Sequence, residues 1–436
     1  MSLIEPGRVK FNYCYINGLP HTDNNGLPNY HIQELRIYED ICKAYFTGQL
    51  IIETQYNAGD TFLNPGAPVQ IGFEAPRSDG GKTKPYNEDF RIYSYESKPR
   101  SKNSLIHTIS LMGQEYYNDK SNVVQRSFSN IVGTEAAKQI HNQYMQAGHG
   151  GIRVQPQSLG LLAQTQVPHI VNNKKPIKAI HDILDAVVYA QYKTCAAVYY
   201  RDKYGHVISP LQYLIEEANV TESFLQDFAL EAKWDKAATA YNQVHHLKPL
   251  SPPGEDRTGT AGSEIDGLFK SNAAFDLKSG EYIAKGLTID SVIGNLFGSG
   301  VGFQQLAQSF KSIIKSTKYG GRQLMSIIDQ RRQPAQVDKN GPGGFNTAED
   351  RFITQLTYAP KYWVSVPMQT GLNVTCGERI VVLYPTGTQN NTLVVKTLFV
   401  PRLIHELRFT ELSENKDRKP VAVQGITDFY GVDWGN

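Results

Sequence analysis

The chain is short of everything that usually announces an enzyme or a secreted scaffold. Only four cysteines occur in 436 residues (Cys14, Cys42, Cys195, Cys376), scattered singly and without CxxC spacing. That speaks against a disulfide framework and a thiolate zinc site, and reads as small buried or half-buried residues in a reducing compartment. No stretch approaches 18 apolar residues, so no transmembrane helix is expected, and MSLIEPGRVKF lacks the apolar core of a secretory signal. Charge of one sign is also missing. Lys plus Arg number 44 against 42 for Asp plus Glu, a formal +2, and no run of five like charges appears. A protein that coats nucleic acid would carry a stronger basic excess.

The recognised catalytic spacings are absent too. There is no Gly-x-Ser-x-Gly elbow and no HExxH. Gly298-Ser299-Gly300-Val301-Gly302 precedes a helical pattern, but Phe303 stands where a dinucleotide fingerprint needs its third glycine. No Lys-Ser/Thr pair follows to make a P-loop, so the patch reads as a connector. His245-His246 diverge on any regular element and read as a surface pair, and His141 and His149 have no ligand spacing. Glu39-Asp40 could be claimed as acid/base residues, but is read here as a strand-edge or interface charge pair. Lys311, Lys315, Lys318, Arg322, Arg331 and Arg332 are open to two readings, a lining for a DNA path or an acidic partner and one solvated helix face, of which the second is favoured. No catalytic, cofactor-binding or metal-ligating residue is therefore assigned, and no cofactor is expected.

What is present is β-pattern and tyrosine, 25 of them, with 40% apolar residues, enough for real cores. In Val9, Phe11, Tyr13 and Tyr15 apolar and aromatic residues alternate with Lys10, Asn12 and Cys14, the period of a half-buried strand. Further strands are expected at Ile32–Tyr38, Gln49–Thr54, Val69–Phe73, Phe90–Tyr95 and Ile106–Leu111, with Asn24–Pro28 as a turn and Pro76–Pro85 as a hairpin loop. Ile131, Ala136, Ala137 and Ile140 fit one helix face. Ile177, Ile180, Ile183, Leu184, Val187 and Val188 form a second stripe, opened by Pro176. Cys195–Tyr200, the turn Asp202–Gly205 and His206–Ile208 complete an α/β unit. Loops at Pro249–Ser263 and Gln333–Gly344 bracket a helical pattern through Leu306, Phe310, Ile313 and Ile314. Strands return at Tyr362–Val366, Arg379–Tyr384, Leu393–Phe399, Leu403–Phe409 and Ala422–Phe429, with a turn at Thr386–Asn391.

Several motifs stand in an order that resembles the baseplate hub proteins of contractile-tail bacteriophages, the T4-type hub family. They are Glu39-Asp40-Ile41, Thr47-Gly48-Gln49-Leu50 and Pro65 to Phe73 (PGAPVQIGF), followed by Phe90-Arg91-Ile92-Tyr93. Ile109–Leu111 to Glu115 and Val123–Phe128 resemble the segment leaving the first barrel. Pro176–Tyr189, Ala197–Asp202 and Gly205–Leu211 resemble the family's middle unit, with Tyr199 and Arg201 where Phe or Glu is usual. Leu372–Tyr384 and Phe399–Phe409, with Ile404-His405, resemble its second tube domain. Gly66 follows Pro65 directly, a departure from the pattern, and 231–350 matches nothing in it.

The resemblance implies a mixed α+β fold. It divides into a tube-like β-barrel domain (1–128), an α/β domain (129–230), an irregular or helical arm (231–350) and a second tube-like barrel (351–436) that can recruit earlier strands. It implies a non-enzymatic homotrimer, a pseudo-sixfold ring joining the hexameric tail tube, or a tube-adaptor ring, to the trimeric central spike. Tape-measure and other baseplate subunits would be neighbours, and DNA would pass through the lumen. The protein would reside in the virion tail baseplate after assembly in the host bacterial cytoplasm. Alternatives are a hub or spike adaptor of a non-phage contractile injection system, or a virion protein that binds or cleaves carbohydrate. Trp234, Trp363 and Trp434, far apart in sequence, give the last little help.

Overall fold

The computed structural model describes residues 8–22, 28–55, 61–75, 85–145, 151–156, 166–184, 197–226, 243–244, 246–250, 273–276, 281–284, 361–385, 393–410 and 422–433. The glycine patch at 298–302, the basic cluster at 311–332, the helical pattern at 306–314 and the loops at 76–84 and 386–391 fall outside them. So do Cys195, His149, His245, Trp234 and Trp434.

The first third is β. Strand β1 (Lys10–Ile16) meets β2 (Leu19–Pro20) across a two-residue turn, Asn17-Gly18, with φ of 50° and 80°. These are the left-handed values that Asn and Gly accept most easily. Then come β3 (His31–Asp40), β4 (Thr47–Gln55), β5 (Pro68–Glu74), β6 (Tyr86–Ser101) and β7 (Ser104–Gly113). A middle unit follows: α1 (Gln114–Ser121), β8 (Val124–Val132), α2 (Gly133–Tyr144), β9 (Ile152–Val154), β10 (Gln166–Lys174), α3 (Pro176–Leu184), β11 (Ala197–Asp202), β12 (Gly205–Pro210) and α4 (Leu211–Glu216). The remainder is β13 (Val220–Gln226), β14 (Gln243–Val244), β15 (His246–Leu250), β16 (Ala273–Asp276), β17 (Glu281–Ala284), β18 (Lys361–Pro367), α5 (Met368–Gly371), β19 (Arg379–Pro385), β20 (Leu393–Thr410) and β21 (Ala422–Asp433).

Content is mostly β with few, short helices, a mixed α+β chain. Among the described residues fourteen strands belong to one sheet, running β2-β1-β5-β6-β7-β4-β3-β20-β19-β13-β14, with β21 also on β20, β18 on β21 and β15 on β18. The named strands do not pair into a closed circuit among the described residues; an isolated bridge joins Arg8 to Gln424, where the Val9 N–H donates to the Val423 carbonyl at 3.0 Å. Strands β14 and β15, from the segment read as an arm, belong to this sheet.

Two strand expectations need correction. Leu393–Phe399 and Leu403–Phe409 are one strand, β20, which changes partner midway. Up to Phe399 it pairs with β19, and from Arg402 to Arg408 it pairs with β3. Pro401, which has no N–H to give, sits at the changeover, where the ladder to β21 also slips between Phe399 and Arg402. Val9 and Phe11 face the core as expected, but farther along β1 the inward phase is reversed. A bulge against β5 between Phe11 and Tyr13 turns Cys14 and Ile16 inward, both fully buried, and leaves Tyr15 exposed. Ile131 likewise belongs to β8, while Ala136, Ala137 and Ile140 form the buried face of α2.

The first core packs Leu35, Ile37, Leu50, Ile52, Ile109 and Leu111 against Met368, Leu372, Leu407 and Val423, so the C-terminal strands complete it. A second lies between β18, β19, β20 and β21 around Val366, Ile380, Leu398 and Phe429. The middle unit has its own core under α2 and α3, around Ile140, Ile180, Val171 and Tyr199.

Candidate functional site: the buried joint at β3, β11 and β20

Glu39-Asp40 ends β3. Pairing with β4 stops at Tyr38, so the two residues have β20 alone as a paired neighbour, opposite Leu403 and Arg402, yet both carboxylates are buried, Glu39 completely. They point to opposite faces because the side-chain period of a strand is two. On the outer face, strict antiparallel register places Asp40 opposite Arg402, Arg36 opposite Glu406 and Glu34 opposite Arg408. Asp40 Oδ2 accepts from Arg402 Nη2 at 2.9 Å, and Arg36 Nε lies 3.2 Å from Glu406 Oε2. A slip by one residue toward Phe409 would set Asp40, Arg36 and Glu34 against Leu403, Leu407 and Phe409, and slips by two would oppose Arg36 to Arg408 or Glu34 to Glu406, so the ladder fixes how the two halves of the sheet meet.

On the inner face Glu39 Oε2 accepts from the Thr375 hydroxyl at 2.8 Å and the Cys376 N–H at 3.3 Å, and Oε1 lies 3.5 Å from His405 Nε2. His405 Nδ1 in turn meets the Thr427 hydroxyl at 2.9 Å. Burial alone would raise the Glu39 pKa. The interactions with His405 and Thr375 outweigh it and hold the carboxyl below its ordinary value. Thr375 and Cys376 are held by a turn after α5 in which Gly377, at φ 87°, donates its N–H to the Val400 carbonyl at 2.8 Å.

The middle unit docks through Arg201 of β11, 1% exposed. Its Nη2 donates to Glu88 Oε2 of β6 at 2.6 Å, and Nη1 lies 2.7 Å from Glu115 Oε1 of α1. The guanidinium carbon stands 4.4 Å from the Phe46 ring centroid. Gly113 makes room here: an added Cβ would lie 2.6 Å from Glu115 Oε2 and 3.3 Å from the Phe46 backbone. Around this knot the Arg201 N–H donates to the Lys43 carbonyl at 3.1 Å and His206 Nε2 meets the Ala44 carbonyl at 3.0 Å. Lys203 Nζ donates to the Leu372 carbonyl and Arg153 pairs with Asp202. Burial pushes Glu88 up to about 8 against the pull of Arg201, and also raises Glu115 and the Tyr86 phenol.

His141 is buried in the middle unit, its Nδ1 2.8 Å from the Tyr199 hydroxyl, and burial lowers it to about 4. Among the described residues no group of three or more His, Cys, Asp and Glu is placed to hold a metal, and no helix is long and apolar enough to cross a membrane. The joint carboxylates are sealed from solvent and spent on Arg201, Thr375 and backbone donors. Their arrangement fixes three parts of the chain to one another; it does not present an acid or base to a substrate. Sequence reading singled out Glu39-Asp40 as a charge pair; Glu115, Arg201, Arg402 and His405 entered it only inside the hub-like motifs, and Glu88 not at all. The available signal was a lone charge inside an apolar strand, as in Ala197-Val198-Tyr199-Tyr200-Arg201.

No family model matches the chain, and no curated protein matches it by sequence. Solved structures are similar to it over nearly its whole length. A tail protein from Neisseria meningitidis MC58 is 10% identical with a TM-score of 0.48, over 98% of this chain and 96% of that one. The 43 kDa tail protein of prophage MuSo2 from Shewanella oneidensis is 8% identical with a TM-score of 0.48, over 98% of each. An Escherichia coli component of the type VI secretion system is 6% identical with a TM-score of 0.40, over 93% of this chain and 74% of that one. These identities and scores are too low to place the chain in a family. The first two are described as tail proteins, the second from a prophage, and the third as a secretion-system component with structural similarity to T4 bacteriophage tail proteins.

Proposed function

We propose that the chain is a structural hub of a phage tail baseplate: a homotrimer whose two tube-type β-domains per chain form a pseudo-sixfold ring. The ring joins the hexameric tail tube to the trimeric central spike and leaves a channel for DNA. It carries out no catalysis and takes no cofactor. The domain limits expected from the sequence go with this reading. The observation that carries it is β20, which pairs with β19 in its first half and β3 in its second, so that both halves of the chain share one sheet. A part that transmits load between a tube and a spike needs such a continuous connection, with its seam locked on both faces. The order of the hub-like motifs along the sequence supports the same reading. A hub or spike adaptor of a non-phage contractile injection system would use the same architecture.

The test is the mass and shape of the purified protein, by light scattering and negative-stain imaging, alone and with the candidate spike. Three-chain rings with a central opening are expected. A monomer that ignores the spike would overturn the proposal, and glycan binding by that monomer would favour the carbohydrate reading.

A further inference from the structure

We propose that the Glu88–Arg201–Glu115 knot is a proton-linked clamp: two carboxylates share one guanidinium and a single proton, and loss of that proton loosens the middle unit from the first sheet. The inference concerns this chain alone and does not depend on how it assembles.

The argument starts from charge. Glu88 is 5% exposed, Glu115 is fully buried and Arg201 is 1% exposed, so the three groups lie together out of water. With both carboxylates ionised the knot carries a net negative charge in the interior, where an unbalanced charge is costly. Two carboxylates held close to each other do not both ionise easily. Their surroundings do not relieve the excess. Strand β3 adds Glu39 beside Glu88, and β6 adds Asp89 beside Glu115 together with the Tyr86 phenol, which burial raises. The cations nearby are engaged elsewhere: Arg153 with Asp202, and Lys203 with the Leu372 carbonyl. His405 of β20 stands against Glu39, and the Cys376 thiol is pushed up by burial. Keeping one proton makes the knot a neutral unit of one cation, one carboxylate and one carboxylic acid.

Position turns this into a device. Glu88 belongs to the first sheet, Glu115 to the helix that opens the middle unit and Arg201 to that unit's strand β11, so charge imbalance acts on the contact between sheet and middle unit. Burial raises Glu88 from 4.5 to about 8. Between those limits the folded chain holds a proton that the unfolded chain has released, so stability falls as pH rises through the window and is fully present only below it.

Urea unfolding of the full chain from pH 5 to pH 9 tests this, with Glu88→Gln and Glu115→Gln measured in parallel. In the unaltered protein this proton should shift the unfolding equilibrium by up to about tenfold per pH unit within the window, a slope that either single variant removes. Together the two substitutions leave Arg201 a buried cation without a partner, so the double variant should be less stable than either single one. Infrared titration of the unaltered protein gives a reading independent of any variant's folding. A protonated carboxylic acid band should persist at pH 7 and fade by pH 9. Absence of that band at pH 7, or an equal pH slope in the unaltered protein and both single variants, would overturn the proposal.

Discussion

At the scale of single residues the joint depends on side chains and glycines that leave no room for alternatives. Gly377 sits at φ 87°, and a Cβ there would collide with the Tyr200 ring and hydroxyl. Gly377→Ala therefore combines left-handed strain with overpacking, and is expected to cost about 2–4 kcal/mol in equilibrium unfolding. The turn it supports presents Thr375 and Cys376 to Glu39, so the loss should also raise amide exchange across 374–378. Gly18, also at positive φ, has open space around it, and its substitution by Asn should cost well under half as much. The sequence marks Gly377 only as one of 37 glycines. What singles it out is the approach of Tyr200, 177 positions earlier, which no local pattern records.

At the scale of elements, the β3–β20 pairing offers a clean comparison because it contains two ion pairs of the same type at different exposure. Asp40 and Arg402 have side chains 3% and 17% exposed, and Asp40 Oδ1 also accepts the Cys42 N–H at 2.8 Å. Arg36 and Glu406 are 35% and 12% exposed, and Arg36 is shared with Glu34. A double-mutant cycle with Asp40→Asn and Arg402→Gln should give a coupling of about 1–2 kcal/mol, and the cycle on Arg36 and Glu406 less than about 0.5 kcal/mol. Equal couplings would show that the ladder sets register without regard to burial. Most strands were legible because alternation survives in them: β3, β4, β5 and β7 fall within a few residues of where Ile32–Tyr38, Gln49–Thr54, Val69–Phe73 and Ile106–Leu111 place them. Failures have local causes. The bulge at Phe11/Tyr13 inverts a phase that alternation assumes constant, and the partner change at Pro401 looks in sequence like a gap between two strands. The joint was legible only as Glu39-Asp40, since the groups that meet these two residues lie as far as 362 positions away and pair through tertiary packing.

For the whole molecule, the issue is whether the two β regions are separable bodies. The first core is completed by Met368, Leu372, Leu407 and Val423, and β3 has β20 on one side along seven paired positions. A chain ending after β13 would expose one edge of β3, uncover that core and leave Glu39 without Thr375, Cys376 and His405. An uncovered apolar edge of this kind is a template for association between chains. Expressed alone, such a fragment is expected to aggregate or to show the broad, uncooperative unfolding of a loosely packed chain. Adding a second fragment that carries β18 to β21 should restore a soluble complex with a single sharp transition, and Arg402→Glu in that second fragment should weaken the rescue by placing a carboxylate against Asp40. If the first fragment instead folds alone, cooperatively and as a monomer, then the shared sheet is a contact between independent domains. The seam at β20 would then be a place where the two halves could rotate, and a rigid connection between tube and spike would have to come from contacts between chains.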